Sequence, residues 1–210
     1  MKKLCALAAL VLLLALALGG CAKTPFASVP NPVATITLAD GSAMRFELFV
    51  QDAPNTVANF VELANSGFYD GLEFFRVVPG VLVQSGDPNN DGTGNAGYTI
   101  QGEFGDNGIG NAATHDRGTI SMCRQSKYDT GSSQFFILVG SFPEYDGQYA
   151  AFGRAMDQDS LNALDALAGV PVDGSFTPVG NRPKIRSICV ETYGYSYTSA
   201  KIDLSAEDAA

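Results

Sequence analysis

A guanidinium set among apolar strand residues is a fixed donor that does chemistry without giving up a proton. The stretch Phe74 to Asp87, FFRVVPGVLVQSGD, places one: Arg76 follows Phe74 and Phe75 and precedes Val77 and Val78. A Pro79-Gly80 turn signal separates this run from Val81-Leu82-Val83-Gln84. Strand alternation puts Leu82 and Gln84 on one face and Val81 and Val83 on the other. An arginine on a strand is by default an exposed edge residue. A second stretch weighs against that default. Gly131 to Val139, GSSQFFILV, carries a carboxamide, Gln134, two residues before Phe136 on one strand face. Two strands that each set a polar group beside a large apolar one describe a shallow, mostly apolar groove with few donors. Such a groove suits a small ligand or a peptide.

Other chemistries fail on spacing. Gly92 to Gly97 fits GxGxxG, but the strand-like Tyr98-Thr99-Ile100 follows where a dinucleotide site needs a helix N-terminus. Asp87, Asn89, Asp91 and Gly92 match the first positions of an EF-hand loop, yet Tyr98 stands where the bidentate Glu is required. That leaves at most a weak calcium site, and a glycine-rich loop rimming the groove is the better reading. His115 beside Asp116 is no hydrolase dyad, since such partners converge in space rather than along the chain. A capping or surface histidine is expected there. There is no Cys/His cluster for zinc, and neither cofactor nor metal is implied.

Five blocks in order now resemble one family. FFRVVPGVLVQSGD, GTGNAGY (Gly92 to Tyr98), RGTISM (Arg117 to Met122), SSQFFI (Ser132 to Ile137) and DGQYAAFGR (Asp146 to Arg154) are similar to the cyclophilins, which are peptidyl-prolyl cis-trans isomerases. The resemblance runs from about Val33 to Tyr193. It implies that Arg76 is the catalytic residue, held by Gln84, and that Phe136 and Leu82 form a proline pocket walled by Val81 and Tyr145. It further implies that Gln134 supports the substrate and that the backbone at Cys123 and Arg124 pairs with it. Tyr149 takes the place of a histidine found in some members and offers a hydroxyl at the rim. Val81 stands where the family usually has Phe, which makes a smaller pocket wall. Glu144 replaces the Trp of cyclosporin-sensitive members, so strong inhibition by that drug is not expected.

The implied chemistry is rotation about an X–Pro bond, slowed by loss of amide resonance against a barrier of about 18–20 kcal/mol. In the twisted state the proline nitrogen becomes pyramidal and accepts a hydrogen bond. A donor that meets it only in that geometry lowers the barrier selectively. The rival reading from another class is a non-catalytic chaperone or scaffold that grips proline-containing segments. It has less need of an aimed guanidinium. An adhesin built on the same scaffold has no positive feature in its favour.

The elements that must position these groups are mostly strands. Val33 to Val50 alternates around Asp40-Gly41 and predicts a hairpin. Asp52 to Ser66 predicts a helix, with Pro54 in its first turn, Val57, Phe60, Val61 and Ala64 on one face, and Gly67 as the stop. Strands are expected at about 72–78, 81–85, 97–103, 118–123, 134–140 and 149–154, then a helix near Ser160 to Ala168 and a closing strand at Lys184 to Thr192. This pattern predicts a mainly β fold: a closed antiparallel β-barrel capped by two α-helices. The resemblance implies the same barrel with eight strands. Residues 33–195 form the one isomerase domain, and 196–210 a loose polar tail.

Residues 1–20 read as a signal peptide: Lys2 and Lys3, then fifteen apolar residues from Leu4 to Leu18, too short for a membrane span. Leu18-Gly19-Gly20-Cys21 resembles a bacterial lipobox, which makes Cys21 a lipidation site. Residues 21–32, with Pro25, Pro30 and Pro32, form a tether. The expected protein is therefore exported and held by lipid to the bacterial cell membrane or envelope. Its expected partners are proline-containing segments of exported proteins, and it is expected to act as a monomer. The chain carries a net charge of −9, which becomes −11 once Lys2 and Lys3 are removed. An acidic chain without a basic block speaks against nucleic acid. Of the remaining cysteines, Cys123 and Cys189 are expected to be unpaired thiols.

Overall fold

The computed structural model describes residues 29–204, and the expected signal peptide, Cys21 and most of the expected tether lie outside them. Eight strands form one antiparallel sheet: β1 (Val33–Leu38), β2 (Ala43–Leu48), β3 (Arg76–Val78), β4 (Leu82–Ser85), β6 (Thr119–Met122), β7 (Phe135–Leu138), β8 (Ala151–Ala155) and β9 (Ile185–Glu191). Their order across the sheet is β3-β4-β7-β6-β8-β2-β1-β9. The sheet curls until its edges meet, but they join through one bridge, Glu73 with Lys184, and a few backbone bonds such as Phe74 N–H to Pro183 O at 2.8 Å. A fully closed barrel therefore overstates the closure, because β3 is only three residues long and has no ladder to offer β9.

Period-two alternation builds the core. In the hairpin, Ala34, Ile36 and Leu38 on β1 and Met44, Phe46 and Leu48 on β2 turn inward, and their neighbours face out. Phe135 and Phe136 divide the same way. Phe135 enters the core at 5.6 Å from both Phe60 and Tyr69, edge-on in each case, while Phe136 joins a second cluster with Leu82 and Leu138 on the opposite face.

Two helices cap the sheet. Helix α1 (Pro54–Asn65) buries Val57, Phe60, Val61 and Ala64, the face the spacing predicts. Its N-cap residue Ala53 offers no side-chain acceptor, and the buried Glu103 carboxylate does this work from outside the helix. It accepts from Asn55 N–H at 3.0 Å, Thr56 N–H at 2.7 Å and the Thr56 hydroxyl at 2.7 Å. Helix α2 (Gln158–Ala168) is capped by Asp157, whose carboxylate accepts from Ser160 N–H at 2.8 Å.

Two sequence expectations need correction. The strand expected at 97–103 shrinks to β5 (Tyr98–Thr99), outside the main sheet, because only Ile100 bridges onward, to Gly131. Its partner is β10 (Ile202–Asp203), so the described part of the tail expected to be loose from Ser196 is held down. Tyr197 and Ser199 are buried, and the Lys201 ammonium lies 3.2 Å from Glu62 on α1.

Candidate active site

Strand register gathers the site into a row. Arg76 on β3 stands opposite Gln84 on β4, Gln84 opposite Phe136 on β7, and Phe136 opposite Ser121 on β6. Directly opposed residues share a face, so all four look away from the core formed by Val77, Val83, Ile137 and Ile120. The apolar part of the groove is Leu82, Phe136 and Leu138, flanked by Val78, Val81, Tyr145 and Tyr149. Val81 lies beside Leu82 and not, as alternation predicts, on the core face with Val83. It precedes β4 in the turn closed by its N–H to Val78 O at 2.9 Å, where strand alternation does not apply.

A chain of carboxamides aims the guanidinium. Gln134 Nε2 donates to the carbonyls of Gly92 at 3.1 Å and Gly94 at 2.8 Å, which fixes its oxygen toward Gln84. Gln84 Nε2 donates to that oxygen at 2.9 Å and so presents its own Oε1 to Arg76 Nη1 at 3.1 Å. Each amide orientation follows from the one before, beginning with carbonyls that can only accept. The loop that anchors this chain is itself folded around Asp87. Its buried carboxylate accepts from Asn89 N–H at 2.8 Å, Asp91 N–H at 3.1 Å and Gly92 N–H. The residues that resemble a calcium loop are thus tied to backbone donors. Among the described residues no group of three or more His, Cys, Asp or Glu is placed to hold a metal.

The groove has two adjoining lobes. One, of about 410 Å³, is lined by Arg76, Leu82, Phe136, Tyr145 and Tyr149 among others; the other, of about 150 Å³, by the 92–95 loop, Thr130 and Gln134. Gln84, Cys123 and Arg124 border both. Every groove residue expected from the sequence is therefore in one place, and only Cys21 lies outside the described residues. Burial pushes the Cys123 thiol up to about 12 against a smaller pull from Arg76, so it stays a neutral wall of the groove. Cys189 is exposed on β9, and both cysteines are free.

His115 was not expected here. It is buried, not on the surface, and its partners are Asp146 Oδ1 at 2.9 Å from Nδ1 and Ser121 Oγ at 3.0 Å from Nε2. Its ring stacks behind Phe136 with centroids 6.3 Å apart. A carboxylate can only accept, so Nδ1 carries the proton and Nε2 accepts from the Ser121 hydroxyl. Asp146 lies 31 residues along the chain, and the adjacent Asp116 is the wrong cue. Burial holds the imidazole below its ordinary value, against opposing pulls from Asp146 and Asp116. The sign is then fixed: below about pH 6.5 the unfolded chain takes up a proton that the folded chain resists. Stability is expected to fall as pH drops from 7 to 5, and to fall less steeply in His115→Gln. Melting curves that track each other across this range would contradict it.

Comparisons with known proteins agree with this fold. The family model for cyclophilin type peptidyl-prolyl cis-trans isomerases matches residues 33–190. The chain belongs to that family. It is 50% identical to peptidyl-prolyl cis-trans isomerase B of Bacillus subtilis over 141 residues, 65% of this chain and 95% of the relative. It is 40% identical to a peptidyl-prolyl cis-trans isomerase of Helicobacter pylori over 146 residues, 70% of this chain and 82% of the relative. Among solved structures, a cyclophilin type isomerase of Cryptosporidium parvum, studied in the presence of the dipeptide Ala-Pro, matches with a TM-score of 0.65 and 31% identity. That match covers 76% of this chain and 98% of the other. This chain is a peptidyl-prolyl cis-trans isomerase of the cyclophilin type, and the substrates of such enzymes are proline-containing peptides.

Proposed function

We propose that this isomerase acts on exported proteins from a lipid anchor at Cys21, and that Arg76 accelerates the reaction by donating to the twisted proline nitrogen. The observation that carries the catalytic part is the chain Gln134–Gln84–Arg76 running alongside Phe136. Leu82 and Phe136 supply an apolar seat for the proline ring. One N–H of the guanidinium is held by Gln84, which leaves others free to meet a nitrogen whose lone pair develops only on twisting. Such a contact is made in the transition state and not in the planar amide, so it raises turnover without tightening ground-state binding. Gln84 and Gln134 act as positioning residues, and Val81, Cys123, Arg124, Tyr145 and Tyr149 complete the substrate groove.

Export and anchoring rest on the sequence: Lys2 and Lys3, the apolar run, and Cys21 after Leu18-Gly19-Gly20. Among the described residues no helix is long and apolar enough to cross a membrane. Cys21→Ser is expected to move the protein from the membrane fraction to the soluble fraction while acceleration of X–Pro exchange is retained. Continued membrane fractionation would overturn the anchor, and loss of exchange activity would overturn the separation of anchor from catalytic groove.

A further inference from the structure

We propose that Arg124 is a specificity residue that selects X–Pro bonds flanked by an acidic side chain. The proposal rests on the groove being the isomerase site and names which peptides it takes. Arg124 follows β6 and borders both lobes of the groove. Three rings confine its guanidinium: Tyr149 at 4.8 Å, Tyr128 at 5.2 Å and Phe104 at 5.3 Å from centroid to Cζ. Its Nε donates to Gln148 O at 3.0 Å and its Nη1 to Gln125 O at 2.9 Å. Those bonds hold the plane of the fork and leave Nη2 without a hydrogen-bond partner among the described residues.

Among the described residues, ion pairing leaves both groove cations without a carboxylate, as it does Arg154 and Arg186 outside the groove. Arg45, Arg117, Arg182, Lys184 and Lys201 each form an ion pair. Arg76 and Arg124, both bordering the larger lobe, form none among the described residues. In a chain with 22 acidic and 13 basic residues, a groove with two cations and no paired carboxylate is a local reversal of sign. The aromatic faces cover part of the half-buried Arg124 side chain, which reduces screening of a charge that approaches it. A carboxylate on a residue flanking the proline would take the unfilled edge of the fork as a charge-assisted acceptor, while a lysine there would meet like charge.

The test measures catalysed cis-trans exchange by the full-length protein in Ala-Xaa-Pro-Phe and Xaa-Ala-Pro-Phe, with Xaa as Glu, Gln or Lys. In one of the two series kcat/KM is expected to be about five- to tenfold higher for Glu than for Gln at low salt, and lowest for Lys. The Glu/Gln ratio should fall toward one in Arg124→Gln and toward one in wild type as salt rises. A wild-type ratio near one in both series overturns the proposal, and so does a ratio that salt or Arg124→Gln leaves unchanged. If Arg124→Gln does not fold, the salt dependence of the wild-type ratio decides. Failure to accelerate any of the peptides would instead overturn the reading of the groove as the isomerase site, and this proposal with it.

Discussion

Arg76→Ala is expected to lower kcat by about 100-fold or more, the effect of removing one preorganised donor to a developing lone pair. KM should change far less, because the missing contact belongs to the transition state. The fold should persist. Arg76 is exposed at the start of edge strand β3, and its hydrogen bond is to Gln84 Oε1, which solvent can then satisfy. Stability is therefore expected to stay within about 0.5 kcal/mol of wild type. Arg76→Lys should recover only part of the rate, since an ammonium keeps the charge and loses the planar fork. The measurement is steady-state isomerisation of an X–Pro peptide together with a thermal melt. Equal kcat in Arg76→Ala and wild type would remove Arg76 from the chemistry.

Gly86→Ala is expected to damage both stability and activity. Gly86 follows β4 with φ +86°, and a Cβ there would overlap the Ser133 carbonyl oxygen and press on Gln134 Cα at 3.0 Å. Both neighbours are backbone and cannot swing aside. The strands carrying Gln84 and Gln134 would have to part, and the 2.9 Å bond that aims Arg76 would be lost with them. The expected loss is about 2–4 kcal/mol from strain and overpacking together. Gly97→Ala separates the two effects. Gly97 has a similar φ, +83°, but open space around it, so only the backbone term of about 1 kcal/mol should appear. Chemical denaturation of the two variants checks this. Equal losses would show that the collision at Gly86 relaxes without consequence.

What was legible in the sequence followed from short-range rules. Alternation in FFILV assigns Phe135 and Phe136 to opposite faces, whereas the pairing of Arg76 with Gln84 came from the family resemblance. Helical spacing found the buried face of α1. What escaped depends on partners far apart in the chain. Glu103 caps α1 from 47 residues away, and His115 finds Asp146 across 31. The aromatic cage of Arg124 likewise joins Phe104, Tyr128 and Tyr149 only after folding. Val81 shows the limit of periodicity, since a residue in a turn obeys the turn. The pairing of Ile202–Asp203 with Tyr98–Thr99 is two residues long, too short to leave a pattern in a polar segment.

The most direct test of the central claim is catalysed cis-trans exchange in a short Ala-Pro peptide, followed by magnetisation transfer with the wild-type protein beside its Arg76→Ala variant. Peptide shift changes in both samples would report that the groove is occupied. Rapid exchange in the wild-type sample alone is the expected result. Occupied grooves with equal exchange in the two samples would contradict the role given to Arg76, and occupancy without acceleration in either would leave a protein that grips proline segments without turning them.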